Sequence, residues 1–439
     1  MKSILIKNTL LITLDDNRPD YFNGDILLDH GLIAEICEAP ASVDPQRADH
    51  IIDGSHLIVM PGLINTHGHA AMTLFRSFAD DLPLKEWLED KIWPIEEYLT
   101  ADDVYWGTML AIAEMIKGGT TTFTDMYFYM EKVAEATAES GIRAVLSRGM
   151  IGFGDSAAQG LRETEQFINN WQGREEGRIN VYLGPHAPYT CPPEYLKKVM
   201  ALAEKTSRPL QIHLSETKRE VEESIRDFGK SPVELVYELG LFNYPVTAAH
   251  CVHLSDRDLE ILADRQVGVA HNPGSNLKLG SGIARVTDML EKGISVGIGT
   301  DGAASNNNLD MIEEIRLVAL VQKGLKMDPT LVEAKTALKM ATSIGASALN
   351  LKEIGILKVG FKADLIGISR NHPNLMPMHN PLAHIVYAAA AADVEYVVVN
   401  GNILLNKGEL TGIDEEKIMY EASKHAERLV IENKGKQDE

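Results

Sequence analysis

Cysteine is scarce: Cys37, Cys191 and Cys251 are the three in 439 residues. An odd, scattered set carries no disulfide framework and none has zinc-finger spacing, so a reducing, cytoplasmic setting is expected. Long hydrophobic runs are also missing. No stretch of about 18 apolar residues occurs, which excludes a helical membrane span. The opening MKSILIKNTLLITLDDN is only briefly apolar, is followed by acids and has no small-residue cleavage site, so no targeting segment is read there. Positive charge is in deficit, with 42 Lys and Arg against 63 Asp and Glu, a net charge of −21. So acidic a surface repels phosphate and excludes nucleic acid as a partner, but not a small neutral or zwitterionic substrate. Repeats and low-complexity linkers are absent too. What remains is an ordinary globular composition, 45% hydrophobic and 24% charged.

The chain is long enough for a barrel of roughly 250–300 residues plus a smaller unit. Residues 1–58 read as β, with a hairpin turning around Asp29-His30-Gly31. Between 59 and 354 short apolar strands alternate with amphipathic helical segments such as Ala101–Lys117 and Pro232–Leu239. The strand candidates are Val59–Asn65, Thr120–Asp125, Arg143–Arg148, Asn180–Gly184, Leu210–Leu214, Val246–Ala249, Val267–Ala270 and Ser295–Gly299. Eight strands alternating with helices predict an α/β fold, a (β/α)8 TIM-like barrel. From 355 to 412 the texture returns to β, with strands at Leu365–Ser369, Ile385–Tyr387, Tyr396–Val399 and Ile403–Leu405 and a hairpin at Asn400-Gly401. The two β-rich ends, 1–58 and 355–412, are expected to pair into one composite domain into which the barrel is inserted. A helix and frayed tail over 413–439 close the chain.

Chemistry-bearing residues fall at the strand ends in one order. His67 and His69 follow the first candidate, two apart and so expected on one face. His213 closes the fifth, with Glu216 three residues on; His250 ends the sixth; Asp301 ends the eighth in Thr300-Asp301-Gly302. Each fragment alone has a plain explanation: loop histidines, a helix-opening glutamate, a turn aspartate. His253 competes with His250 for one role. Together, at the C-terminal mouth of one barrel, the set can hold a divalent metal and a water with proton carriers beside them.

These motifs resemble those of the amidohydrolase superfamily. Pro61-Gly62-Leu63-Ile64-Asn65-Thr66-His67-Gly68-His69 and Gly360-Phe361-Lys362-Ala363-Asp364-Leu365 look like its signatures. The resemblance spans essentially the whole chain and implies a barrel with a composite β-sandwich made by both termini. The fourth strand, Val181-Tyr182-Leu183-Gly184-Pro185-His186, lacks the lysine of two-metal members, which points to the one-metal branch. Within it the chain is most similar to deaminases of methylthioadenosine and S-adenosylhomocysteine, with chloro-triazine hydrolases as neighbours. The resemblance implies His67, His69, His213 and Asp301 as metal ligands, holding one Zn2+, or Fe2+ or Mn2+ in its place. It implies Glu216 as the acid that protonates the purine ring and His250 as a handler of the attacking water. Glu96 matches a binder of ribose hydroxyls, with Glu97 its rival. Arg148 matches a residue facing the 5′ substituent, and His186 a substrate-binding histidine. Where some relatives carry a second arginine, Gly160 stands here, with Arg162 close by. Loops at His271-Asn272-Pro273 and Ser305-Asn306-Asn307 also resemble family loops over the site.

The chemistry implied is hydrolytic deamination of an adenosine-type nucleoside. A metal of this class lowers the pKa of water from about 15.7 towards 7, Asp301 and His250 take its proton, and Glu216 protonates the ring nitrogen. The partner implied is a small nucleoside, with no nucleic acid and no membrane, and a homo-oligomer is compatible with the fold class. Three other readings stand beside this one. They are a guanine, cytosine or chloro-triazine hydrolase on the same site, an adenosine or 5′-deoxyadenosine deaminase indifferent to a longer 5′ tail, and a non-enzymatic scaffold.

Overall fold

The computed structural model of the chain describes residues 2–154 and 156–437. Of the tail expected at 434–439, Asp438 and Glu439 lie outside the described residues.

Eight parallel strands form the barrel sheet: Leu63–Asn65, Thr120–Tyr127, Arg143–Met150, Ile179–Pro185, Leu210–Leu214, Val246–His250, Gly268–His271 and Val296–Ile298, hydrogen-bonded in sequence order. The ring closes through single bonds rather than a ladder. Thr66 N–H donates to Ile298 O at 2.9 Å and Asp301 N–H to His67 O at 3.1 Å. Helices cover the outer face, so the strands are buried on both sides, Leu210–Leu214 being buried at every position. Helix starts follow local chemistry. Thr100 and Asp103, Ser231 and Glu234, and Ser255 and Asp258 each form reciprocal caps that satisfy otherwise orphaned N–H groups.

The termini build the second unit, one nine-stranded sheet. Its path runs from Glu409–Leu410 through Asn402–Asn406, Val394–Val399, Leu365–Ser369, Leu57–Pro61, Ile4–Leu11 and Phe22–Asp29 to Leu32–Glu38, with His50–Asp53 beside Ile4–Leu11. The sheet folds back on itself. Ile33 N–H donates to Phe361 O at 2.8 Å and Ala363 N–H to Gly31 O at 2.9 Å. The fold encloses a core that includes Ile6, Leu28, Val59, Leu365 and Val398.

Two expectations need correction. The strand expected at Val59–Asn65 is two strands. Leu57–Pro61 pairs with Ile4–Leu11 and Leu365–Ser369 in the terminal sheet, across the boundary expected at 58/59, and only Leu63–Asn65 joins the barrel. The break falls where Pro61 has no N–H to give a ladder and Gly62 packs so closely that a Cβ there would lie 2.1 Å from Thr121 Oγ1. The strand expected at Ile385–Tyr387 is the end of a helix, Pro381–Tyr387. Asn380 caps it through Ala383 N–H and Pro381 occupies the first turn, a start signal that outweighs the β-branched residues.

A buried ion pair locks the two units together. Arg143, at the base of the third barrel strand, donates from Nε and Nη2 to the two oxygens of Asp364 at 2.7 and 3.1 Å. Asp364 also accepts from Asn400 N–H at 2.7 Å.

Candidate active site

The strand ends converge at the C-terminal mouth of the barrel, and the backbone there is bent sharply. Ser215, His250 and Asp301 have φ of 52°, 71° and 63°, left-handed values that ordinary residues avoid. Conformations of this kind cost of order 1–3 kcal/mol each and gather at functional sites. Here they turn the chain at the ends of the fifth, sixth and eighth strands, so that His250 and Asp301 face a shared centre.

His67 and His69 lie just beyond the first strand rather than within it, yet their rings still meet edge to face, centroids 5.0 Å apart. His67 Nε2 is 3.5 Å and His69 Nε2 3.3 Å from Asp301 Oδ1. His213 Nε2 is 3.3 Å from His69 Nε2. The far ring nitrogens are anchored on backbone carbonyls, His69 Nδ1 on Met126 O and His213 Nδ1 on His186 O, both at 2.7 Å. With Nδ1–H donated outward, the Nε2 lone pairs point inward. His67 Nε2 is buried with no hydrogen-bond partner. Ligand atoms of His67, His69 and His213 lie within 4.8 Å of one another, as do those of His67, His250 and Asp301.

Electrostatics suit the same reading. Burial pushes His67 down to about 4 and His213 well below its usual value, so both rings stay neutral and able to ligate. Burial acts against the Asp301 carboxylate, but the imidazoles of His67, His69 and His250 around it outweigh that and hold it ionised. Asp301 Oδ2 accepts from Ser275 Oγ at 2.6 Å and Ser305 Oγ at 2.8 Å. An unsatisfied buried nitrogen, neutral imidazoles of fixed tautomer and one carboxylate together fit a divalent metal of the zinc class.

Glu216 stands beside this cluster, 5% exposed, with Oε2 3.7 Å from His250 Nε2. Burial raises its pKa, favouring the proton-bearing acid. Its backbone is held by Glu220, whose carboxylate accepts from Ser215 N–H at 2.9 Å and Glu216 N–H at 2.7 Å. Burial disfavours charge on His250 as well, but the Glu216 and Asp301 carboxylates outweigh it and raise its pKa. Its Nδ1 meets Asn276 Oδ1 at 2.9 Å. The competitor His253 points elsewhere, donating to Ser281 O at 2.6 Å.

The cluster floors a cavity walled by Met72, Leu84, Trp87, Leu88, Trp93 and Leu279. Glu96, His186, Glu216, His250 and Asp301 all reach it. Glu96 accepts from Tyr127 Oη–H at 2.5 Å, and burial pushes its pKa up to about 7. His186 bonds Thr190 Oγ1 at 2.8 Å and is held neutral by burial, down to about 3. Arg148 is not in this cavity. It lines an adjoining one that shares Trp93, Glu96 and Phe128, and there it donates from Nε to Glu163 at 2.9 Å and lies 5.6 Å from the Phe128 ring centroid. Arg162 is exposed.

Several contributors escaped the sequence reading. The Trp87 and Trp93 walls come from an irregular helical segment, Leu84–Glu96, whose apolar residues follow no single period. Glu220 carried a signal, because Thr217-Lys218-Arg219-Glu220 is a capping-box pattern, although its carboxylate bonds the two residues before the cap instead. Asn276 carried none.

The Amidohydrolase family model matches residues 58–404. The chain belongs to that family. Among its relatives, a 5-methylthioadenosine/S-adenosylhomocysteine deaminase of Dictyoglomus thermophilum is 57% identical, the match covering 88% of this chain and 90% of that one. Another protein of that description, from Pelotomaculum thermopropionicum, is 50% identical over 98% of this amidohydrolase and 99% of its own length. In structure, the chain is similar to an adenosine deaminase from Xanthomonas campestris with bound zinc. The TM-score is 0.92 at 32% identity, with 98% of each chain covered.

Proposed function

We propose that this amidohydrolase deaminates 5′-substituted adenosines, methylthioadenosine and S-adenosylhomocysteine first among them, giving the inosine analogues and ammonia. The observation that carries the reading is Glu216: a buried carboxyl group beside a His/Asp cluster able to hold a metal, at the floor of a cavity walled largely by apolar side chains. The names of the 57% and 50% identical relatives support the same substrates.

His67, His69, His213 and Asp301 would hold the metal, for which we propose zinc. The metal supplies water activated for attack at neutral pH. The remaining work belongs to side chains. Asp301, its other oxygen occupied by Ser275 and Ser305, accepts a proton from the water, and His250 orients and relays it. Glu216 gives its proton to the purine N1 as water oxygen bonds to C6, relieving the negative charge that develops on the ring. A proton then returns to the 6-amino group, the C6–N bond breaks, and ammonia leaves a hypoxanthine ring. Glu96, oriented by Tyr127, binds the ribose hydroxyls, while His186 lines the base site. Arg148, which lines the adjoining cavity, would face the 5′ substituent. Among the described residues no helix is long and apolar enough to cross a membrane. With the three cysteines unpaired, we place the enzyme in the cytoplasm.

The test is ammonia release by zinc-loaded protein offered methylthioadenosine, S-adenosylhomocysteine, adenosine, guanine and cytosine in parallel. The 5′-thio nucleosides should be turned over ahead of the free bases. Turnover of a free base alone would overturn the substrate assignment and leave the metal centre standing.

A further inference from the structure

Glu314 is fully buried on the helix Met311–Lys326, outside the cavity and outside the metal cluster. Its two oxygens reach two different segments, the short helix Pro273–Lys278 and the loop after Asp301. Oε2 accepts from Gly274 N–H at 2.9 Å, in the segment that follows the seventh barrel strand. Oε1 accepts from the Asn306 side-chain amide at 2.8 Å, in the segment that follows the eighth. The same Asn306 amide donates to Thr300 O at 2.9 Å, one residue before Asp301. Beside each anchor stands a serine, Ser275 next to Gly274 and Ser305 next to Asn306, and both hydroxyls converge on Asp301 Oδ2.

We propose that Glu314 is a positioning residue for the metal centre: by tying the two segments to one carboxylate it aims the two serines that fix Asp301. The inference rests on the reading of Asp301 as metal ligand and proton acceptor. The physical case is one of freedom removed. Asp301 has two oxygens, and only one faces the histidines. A carboxylate free to rotate would exchange them, whereas two hydroxyls on Oδ2 leave Oδ1 turned towards His67 and His69. Ser305 sits in a loop and Ser275 in the short helix Pro273–Lys278, and connecting segments wander unless their backbone is tied down. Glu314 ties down both from the longer helix Met311–Lys326.

The experiment measures zinc release to a chromogenic chelator, together with kcat and KM for methylthioadenosine, in Glu314→Ala and Glu314→Gln. Removing an outer-shell partner of a metal ligand costs about 10–100-fold in affinity or activity. Zinc release from the alanine variant should quicken and kcat fall by that order, with KM within about twofold of the wild type. The glutamine variant, which keeps one acceptor oxygen, should recover part of both. In a Ser275→Ala/Ser305→Ala background, Glu314→Ala should add little further, because the serines through which it acts are gone. Unchanged zinc release, or an effect that simply adds to that of the serine changes, overturns the proposal. If Glu314→Ala does not fold, Asn306→Ala cuts one of the two tethers and must quicken release in the same direction. Zinc release does not depend on the substrate, so failure of the nucleoside reading would show separately, as a wild-type protein that holds zinc and releases no ammonia.

Discussion

Replacing Glu216 by Gln tests the chemistry most directly. The side chain is 5% exposed, its carboxyl pKa is raised by burial, and it meets Ser281 Oγ at 3.5 Å and His250 Nε2 at 3.7 Å. Glutamine keeps the volume and can still accept from Ser281, so the cavity wall and the backbone hydrogen bonds to Glu220 should persist. What is lost is a transferable proton. General acid catalysis by a positioned side chain contributes about 10²–10⁴ in rate. At about 1.36 kcal/mol per tenfold, that is roughly 2.7–5.4 kcal/mol of transition-state stabilisation. Glu216 belongs to neither group of metal-liganding atoms, so zinc content should match the wild type. KM should move far less than kcat, because the proton is transferred only as the ring is attacked. The assay follows loss of adenine absorbance for methylthioadenosine, with metal analysis on the same sample. A Gln variant that keeps more than about a tenth of wild-type kcat with full zinc would refute the assignment of Glu216 as the acid.

Glu96 gives a pH test. Burial lifts its pKa to about 7, and the ribose hydroxyls need the carboxylate form as acceptor. KM for nucleosides should therefore rise as pH falls through about 7, with kcat less affected, and Glu96→Gln should flatten that dependence. For Arg148, already paired with Glu163, Arg148→Met should lower kcat/KM for S-adenosylhomocysteine several-fold more than for methylthioadenosine; equal losses would remove it from tail recognition. At the seam, Asp364→Asn leaves the Arg143 charge buried without a counter-ion and should destabilise the protein by about 3–5 kcal/mol in denaturant unfolding, since breaking one half of a buried pair is costly.

Sequence by itself determined whatever is local in origin. The alternation of apolar strands and amphipathic helices named the barrel, because strand burial and helix periodicity are written within about ten residues. Helices such as Ala101–Lys117 and Pro232–Leu239 were legible from their apolar spacing, and the structure adds the caps at Thr100 and Ser231 that start them. The histidines and Asp301 were legible because a parallel barrel brings every strand end to one mouth, so order along the chain becomes nearness in space. Where local signals competed, the reading slipped. Val59 has the side chain of either sheet, and its pairing with Leu11 on one side and Gly367 on the other assigns it to the terminal one. Ile385–Tyr387 is β-branched in part, but the Asn380 cap and Pro381 begin a helix.

Tertiary structure alone decided the rest. Whether His69 and His213, 144 residues apart, come to 3.3 Å depends on ring closure and on carbonyls of other strands fixing their tautomers. Arg148 could have faced the main cavity. A partner from the helix Ser156–Trp171 holds it in the adjoining one, and no spacing in the sequence records that pairing. Glu314 reads as an ordinary helical acid until the short helix Pro273–Lys278 and the loop holding Asn306 fold onto it. Sequence gave the donors their order through short-range rules. Their directions come from hydrogen bonds between segments far apart in the chain, which form only once the packed barrel has brought those segments together.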